Sequence, residues 1–535
     1  MAEPSECARP TARRPSQPGP PQPVGHAEPV APARGRPSAA TPPDGPQPPA
    51  ALDNRLVALG TVVVLGTLMS TLSTTIVNVA TRTLGREFDT SITTVQWVLT
   101  GYLLAFASVI PMAGWAAERF GAKRVWISAL LLFMIGSALS GSAWSVGALI
   151  MFQILQGIAG GTLVPVGQAI LTQAAGPLRM GRVMGMIAVP LLMGSLSGPV
   201  VGGVIISAVG WRWIFFVNLP IGALAVVAAR RLLPRNPPQP SNHLDLLGLV
   251  LLCSGVAIFV YGASEAGVVG GFGNPRALIG MALGVALVGF YVPHARRKAH
   301  RALIDLALFR ERPFSASSST LLMVSINRYG VLILMPLYWQ VLRGESPFST
   351  GLLLIPQTLG AAAAMPLAGW VADRAGVRVV VPVGILVGMM GTLAFSRLDA
   401  DASLTVSACA LFLIGLGLGA TVVPATVAAY VTLPSSAIPR ATSTINTIQQ
   451  LGGSIGTALM AVILQRAFAA EAPDLSGSAL GPLPPALRTQ MEPALQRAFG
   501  HTFWVAAALI AASLLPTLWL PRLARPVQRS AMTDR

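Results

Sequence analysis

Six of the thirteen residues in LMSTLSTTIVNVA (68–80) are Ser, Thr or Asn, and none is charged. Ser70, Ser73, Thr74 and Asn78 recur at helical spacing, so they share one face. Hydroxyls and amides can hydrogen-bond a ligand, but they exchange no proton near neutral pH. Other uncharged polar residues interrupt apolar runs further on: Gln153, Gln168, Asn327, Asn446, Gln449 and Gln450. Each either lines a path for a substrate or joins two helices by a hydrogen bond. Met193, Met323, Met335 and Trp339 supply either an adaptable apolar wall or ordinary packing.

Two ionisable residues stand apart. Arg328, in SINRYGVLILMPLYWQ (325–340), is the one charge well inside an apolar run. Such a residue costs about 2.5–3.5 kcal/mol to insert, which points to function or a buried partner. It is expected to line a central cavity or its outer vestibule and to favour neutral or anionic groups; the plain alternative is a side chain reaching outward to water. Glu265, in YGASEAG (261–267), is either a proton-exchanging acid or an interfacial one facing water. These two are the candidates for proton coupling.

Two motifs speak of motion. In GWAAERFGAKR (114–124), which also includes Gly121, Gly114 allows close helix approach, Glu118 sits at a helix end, and Arg119, Lys123 and Arg124 anchor the loop. The motif reads as a charge-based latch between access states, or else as a solvated loop. It returns as GWVADRAGVRVV (369–380), with Asp373, Arg374 and Arg378. In GSLSGPVVGG (194–203), Gly194, Gly198 and Gly202 share a face that another helix can approach. Pro199 bends that helix, and Gly203 extends the small-residue run.

The elements that must hold these residues are membrane helices. The 535-residue chain is 53% hydrophobic and 11% charged, too little charge for a water-soluble surface of this size. Fourteen runs are long enough to cross a bilayer: 56–80, 94–116, 124–143, 146–170, 183–207, 211–229, 246–264, 275–295, 314–340, 349–371, 378–396, 403–427, 441–465 and 501–520. Placing both termini in the cytoplasm puts about 27 of the 37 Lys and Arg inside and about nine outside, as the positive-inside rule requires. The Trp residues of GWRWIFF (210–216) fall where an interfacial aromatic belt belongs. TLVP (162–165) returns as TVVP (421–424), and with the repeated latch motif this divides the chain into halves. The expected organisation is a disordered Pro/Ala-rich cytoplasmic tail (1–52), an N-terminal six-helix bundle (53–235), two inserted helices (236–300), a C-terminal six-helix bundle (301–522) and a short cytoplasmic tail (523–535). Transporters built from repeats bind substrate at the repeat interface and rock around it.

Several function classes drop out. The net charge of +17 is spread between spans rather than along a stripe, which argues against nucleic acid as a partner. Three isolated cysteines and five His give no metal spacing, so no metal site is expected. No GxxxxGK[ST] loop and no nucleophile elbow occurs, so neither direct ATP drive nor enzyme chemistry is expected, and no cofactor.

GWAAERFGAKR, LQGIAGG (155–161), GSLSGPVVGG, WRWIFFVNLPIG (211–222) and NTIQQLGGSIGTA (446–458), in this order, resemble the signature series of the major facilitator superfamily, in its fourteen-span drug:proton antiporter branch. The resemblance implies an all-α major facilitator fold of two six-helix bundles plus two extra central helices. It also implies a monomer in the bacterial plasma membrane that exports small amphipathic compounds in exchange for protons. The chain departs from the family in two places. The family has an Asp before TTIVNVA or its equivalent, where Ser73 stands here, and an Arg three residues before Gln-Gly, where Gln153 stands. Both membrane charges of the usual coupling scheme are therefore replaced by neutral groups, which leaves open a non-proton-coupled or uncoupled exporter and a transport-dead or narrow-specificity sensor or scaffold of the same fold.

Overall fold

A computed structural model describes residues 53–176, 201–234, 244–268, 273–298, 302–398, 402–471 and 485–521, with Arg179, Gly194 and Gly198. All belong to one compact unit covering 51–535. The helices in order are α1 Asn54–Glu87, α2 Ile92–Phe120, α3 Ala122–Gly141, α4 Val146–Ala175, α5 (201–209), α6 Asn218–Leu232, α7 Leu246–Val268, α8 Pro275–Lys298, α9 Arg312–Leu337, α10 Ile355–Ala375, α11 Val377–Phe395, α12 Leu404–Tyr430, α13 Ile438–Glu471 and α14 Pro485–Ala512. The described residues contain no strand. Thirteen of their helices are long and apolar enough to cross a membrane, consistent with fourteen spans in all. The remaining expected span, 183–207, lies largely outside the described residues, as do both tails and Met193 and Pro199.

The helix boundaries have local causes. Ser91, Ser145 and Ser403 cap α2, α4 and α12 by accepting a hydrogen bond from a backbone N–H two or three residues on. One residue, Gly121, separates α2 from α3, at φ +89° and ψ 130°. Its repeat equivalent Gly376 separates α10 from α11 at φ +85° and ψ 153°. A side chain at either position would meet the steric barrier that glycine lacks. The repeated motif thus encodes a one-residue reversal between two membrane helices.

Packing repeats as the sequence does. α4 is apolar on every side and takes α1, α2 and α3 around it, while α6 closes on α1 and α3. In the second half α12 takes α9, α10 and α11, and α14 closes on α9 and α11. Gly194, Gly198 and Gly202 seat against α1: a side chain there would run into Leu68, Thr75 and Ile76 respectively. The inserted helices α7 and α8 interlock through Gly255, Gly262, Gly280 and Gly284, and α7 packs on both α2 and α13. In the Trp belt, Trp211 turns inward against Phe88 and Phe215, and Trp213 remains exposed.

Candidate functional site: two polar centres and a latch

Ser73 projects from α1 into the interior of the first half and is 4% exposed. Its Oγ accepts from Asn218 Nδ2 of α6 at 3.1 Å and from Gln156 Nε2 of α4 at 3.4 Å. Gln156 Oε1 accepts from Gln153 Nε2 at 2.8 Å, and Gln153 also donates to Ser140 Oγ of α3. Asn218 donates a second bond to Ser137 Oγ, whose hydroxyl donates to the Phe215 carbonyl. Six side chains on four helices thus form one buried, hydrogen-bonded and uncharged network. In a low-dielectric interior such a network is stable only when its members are satisfied together. The two positions where the resemblance implies an acid and a base are occupied by neutral members of it.

Ser70 bonds the Tyr102 hydroxyl of α2 at 2.8 Å, beneath Gly160, and Thr74 donates to the Thr71 carbonyl within its own helix. The Asn78 side chain lies outside the described residues, as does that of Asp373. Glu265 is half-buried near the end of α7.

Arg328 borders a cleft of the second half. Gly330 is turned to α13, where a side chain would strike Met460, and Asn327 Nδ2 donates to the Ala506 carbonyl of α14 at 2.9 Å. These neighbours rotate Arg328 into a cleft inside the second half, walled by α9, α10, α11, α12 and α14 with Ser513 just beyond. No residue of the first half lines it. One-helix spacing alone does not choose between this cleft and a central cavity or its vestibule. Met335 and Trp339 are fully buried in the apolar core of this half rather than forming a wall for ligands, while Met323 is half-buried.

The halves meet at the end that carries Arg119, Lys123, Arg230, Arg297, Arg374 and Arg440, here the basic end. Arg440 at the start of α13 donates from Nε to Glu118 Oε2 of α2 at 2.8 Å, with both side chains under a tenth exposed. A Cβ on Gly114 would lie 2.7 Å from the Pro439 carbonyl oxygen and 2.9 Å from Arg440 Cα. Gln168 accepts from Asn446 Nδ2 at 2.8 Å, and Gln173 donates to the Ser435 carbonyl at 2.9 Å. Gln449 and Gln450 follow half-buried on α13. Lys123 donates to the carbonyls of Arg230 and Leu233, closing the end of α6. Arg374 lies over the Trp370 ring at 3.6 Å; Arg124 is exposed and Arg378 half-buried. Arg119 Nη1 is buried with no hydrogen-bond partner among the described residues.

Sequence reasoning missed the partners. Gln156 and Asn218 stood inside quoted motifs without being singled out, and Arg440, Asp245, Tyr291 and His294 were not singled out at all. The inserted pair is tied to Arg440 through a short strap. His294 Nε2 of α8 lies 2.8 Å from both oxygens of Asp245, which caps α7 through the Gly248 N–H. The Tyr291 hydroxyl accepts from the Ile304 N–H at 2.7 Å and donates to the Ile304 carbonyl at 3.2 Å. That fixes the strap 302–304, whose Ala302 carbonyl accepts from Arg440 Nη1 at 3.3 Å. Tyr291→Phe leaves two buried backbone groups unpaired, at about 1–3 kcal/mol for each group. The purified variant is expected to melt several degrees below the parent; an unchanged melting temperature would show the strap held by other contacts.

Comparison with known proteins follows the same lines. The family model described as "Major Facilitator Superfamily" matches residues 63–457. The Mycobacterium tuberculosis (strain ATCC 25618 / H37Rv) "Multidrug resistance protein B homolog" is 38% identical over 494 residues, covering 89% of this chain and 92% of that one. The Streptomyces glaucescens "Tetracenomycin C resistance and export protein" is 30% identical over 404 residues, covering 75% of this chain and 74% of that one. Among solved structures, the human organic anion transporter MFSD10 superposes with a TM-score of 0.56 at 17% identity, covering 86% of this chain and 100% of that one, a likeness of fold.

Proposed function

Because the chain belongs to the Major Facilitator Superfamily, we propose that it exports small amphipathic drugs or natural products across the bacterial plasma membrane by alternating access, as a monomer and in exchange for protons. The basic end faces the cytoplasm in this reading, as do both termini. The observation that carries it is the seating of Gly114 on α13 beside the enclosed Glu118–Arg440 pair. A contact of this kind between two repeats, polar and closed at one end, is what a device that opens and closes there requires. The relatives named for multidrug resistance and tetracenomycin export support the substrate class. Gln168, Asn446, Gln449 and Gln450, which follow the latch inward, are the polar groups placed for a substrate to meet first when it opens.

The uncharged Ser73 network favours one specific second reading, an exporter of the same fold driven otherwise than by protons. Both readings meet in one experiment. Efflux-deficient bacteria expressing the protein are loaded with a panel of fluorescent amphipathic dyes, with and without a protonophore. Proton-coupled export predicts several-fold lower accumulation of at least one dye and loss of that difference with the protonophore. Export that persists would select the second reading, and no export across the panel would favour the transport-dead sensor or a narrow-substrate pump of the same fold.

A further inference from the structure

The cleft beside Arg328 has the makings of a ligand site, independently of what the protein exports. Arg328 lies within a membrane-spanning helix, yet it makes no hydrogen bond and no ion pair with the described residues. Its one recorded contact is the Tyr329 ring, 4.4 Å from the guanidinium carbon. The carboxylates of Asp53, Glu87, Glu118, Asp245 and Glu471 are all paired elsewhere. A guanidinium has five donors and no acceptor, so the group it needs is an anion.

The corresponding place in the first half sharpens the contrast. The same 255 residues separate Gly114 from Gly369, Ser137 from Thr392 and Ser73 from Arg328. Thr392 lines the Arg328 cleft just as Ser137 joins the Ser73 network. Ser73 is met by complementary amides there; Arg328 is met by a cleft of about 50 Å³. At roughly 10–15 Å³ for each water, that volume suits a few waters or one small ion. It is far below the roughly 300–1,000 Å³ of a drug-sized site. The hydroxyls of Thr392, Thr421 and Ser513 already donate to carbonyls of their own helices. The Gln357 amide, by contrast, makes no hydrogen bond with the described residues, so it is a second donor on the wall.

We propose that this cleft binds a small monovalent inorganic anion of chloride size, held by the Arg328 guanidinium and the Gln357 amide. One negative charge matches the one positive charge and spares the helix an unpaired charge in the membrane interior. A larger organic carboxylate shares the chemistry but not the fit.

The test is the melting temperature of purified protein in detergent as gluconate is replaced by chloride at constant ionic strength, with bromide, nitrate and benzoate as further arms. The parent is expected to show a saturable rise of a few degrees with chloride, bromide and nitrate, and none with benzoate. Arg328→Gln should lose the rise whatever its own stability, and Gln357→Leu should need at least threefold more chloride for half the effect. No rise in the parent, an equal rise in Arg328→Gln, or stabilisation by benzoate matching that by chloride would each overturn the proposal.

Discussion

Gly114→Ala is expected to abolish export, bringing the dye content of expressing cells up to that of cells without the protein. The added methyl would lie 2.7 Å from the Pro439 carbonyl oxygen and 2.9 Å from Arg440 Cα. Both are backbone atoms, so no rotamer change relieves the overlap, and α2 and α13 must part. Parting them stretches the 2.8 Å bond between Arg440 and Glu118. Removing one partner of such an enclosed pair costs about 3–5 kcal/mol. Since about 1.4 kcal/mol is a factor of ten, the closed state loses at least a hundredfold in population. Arg440→Ala should therefore reduce export at least tenfold as well, and the charge exchange Glu118→Arg with Arg440→Glu should recover part of it. Gly147→Ala is the control, since nothing lies within 4 Å of a Cβ there. Dye efflux and surface expression, measured together, separate loss of function from loss of protein.

Ser73→Asp is expected to destabilise the protein rather than to restore the acid its relatives' motif implies. The new carboxylate would find two donors, Asn218 Nδ2 and Gln156 Nε2, but no cation among its bonded neighbours. Burying an unpaired charge costs several kcal/mol after relaxation. Gln153→Arg, alone, commits the opposite error two side chains away in the same network. Each single variant should lose about 3 kcal/mol of stability, and the double variant should lose about 3–4 kcal/mol rather than the sum of the two, because acid and base then meet inside one hydrogen-bonded chain. Such a coupling of about 2–3 kcal/mol is at the upper end of what contacting residues show. A Ser73→Asp protein as stable and as active as the parent would mean that the network is far wetter than its 0–4% exposures imply.

Much of the architecture was legible because hydropathy and charge act on one helix at a time. The approximate spans and the small-residue face of Gly194 and Gly198 follow from residues within a dozen positions of each other, whereas the one-residue reversals at Gly121 and Gly376 replace the longer loops expected between those spans. Partnerships did not follow in this way, because α4 is apolar all round and offers no face by which to orient Gln153 or Gln156. Both bundle interiors and the seam between the halves can accept a polar side chain. For that reason the sequence alone did not place Arg328 beside its cleft, and Gln168 was placed at the seam only by its bond to Asn446. Arg440 was hidden differently. A basic residue next to a span satisfies the positive-inside rule whether it faces water or a carboxylate on another helix, 322 residues away. Only the fold distinguishes the two.

The account rests on export through a latch that must close. The most direct test is uptake of a fluorescent amphipathic dye into inverted membrane vesicles containing the parent protein or Gly114→Ala, energised by a proton gradient. Uptake by the parent at several times the rate of protein-free vesicles, with Gly114→Ala at the protein-free rate, is the predicted result. Equal uptake by parent and Gly114→Ala, or none by the parent for any dye in the panel, would contradict it.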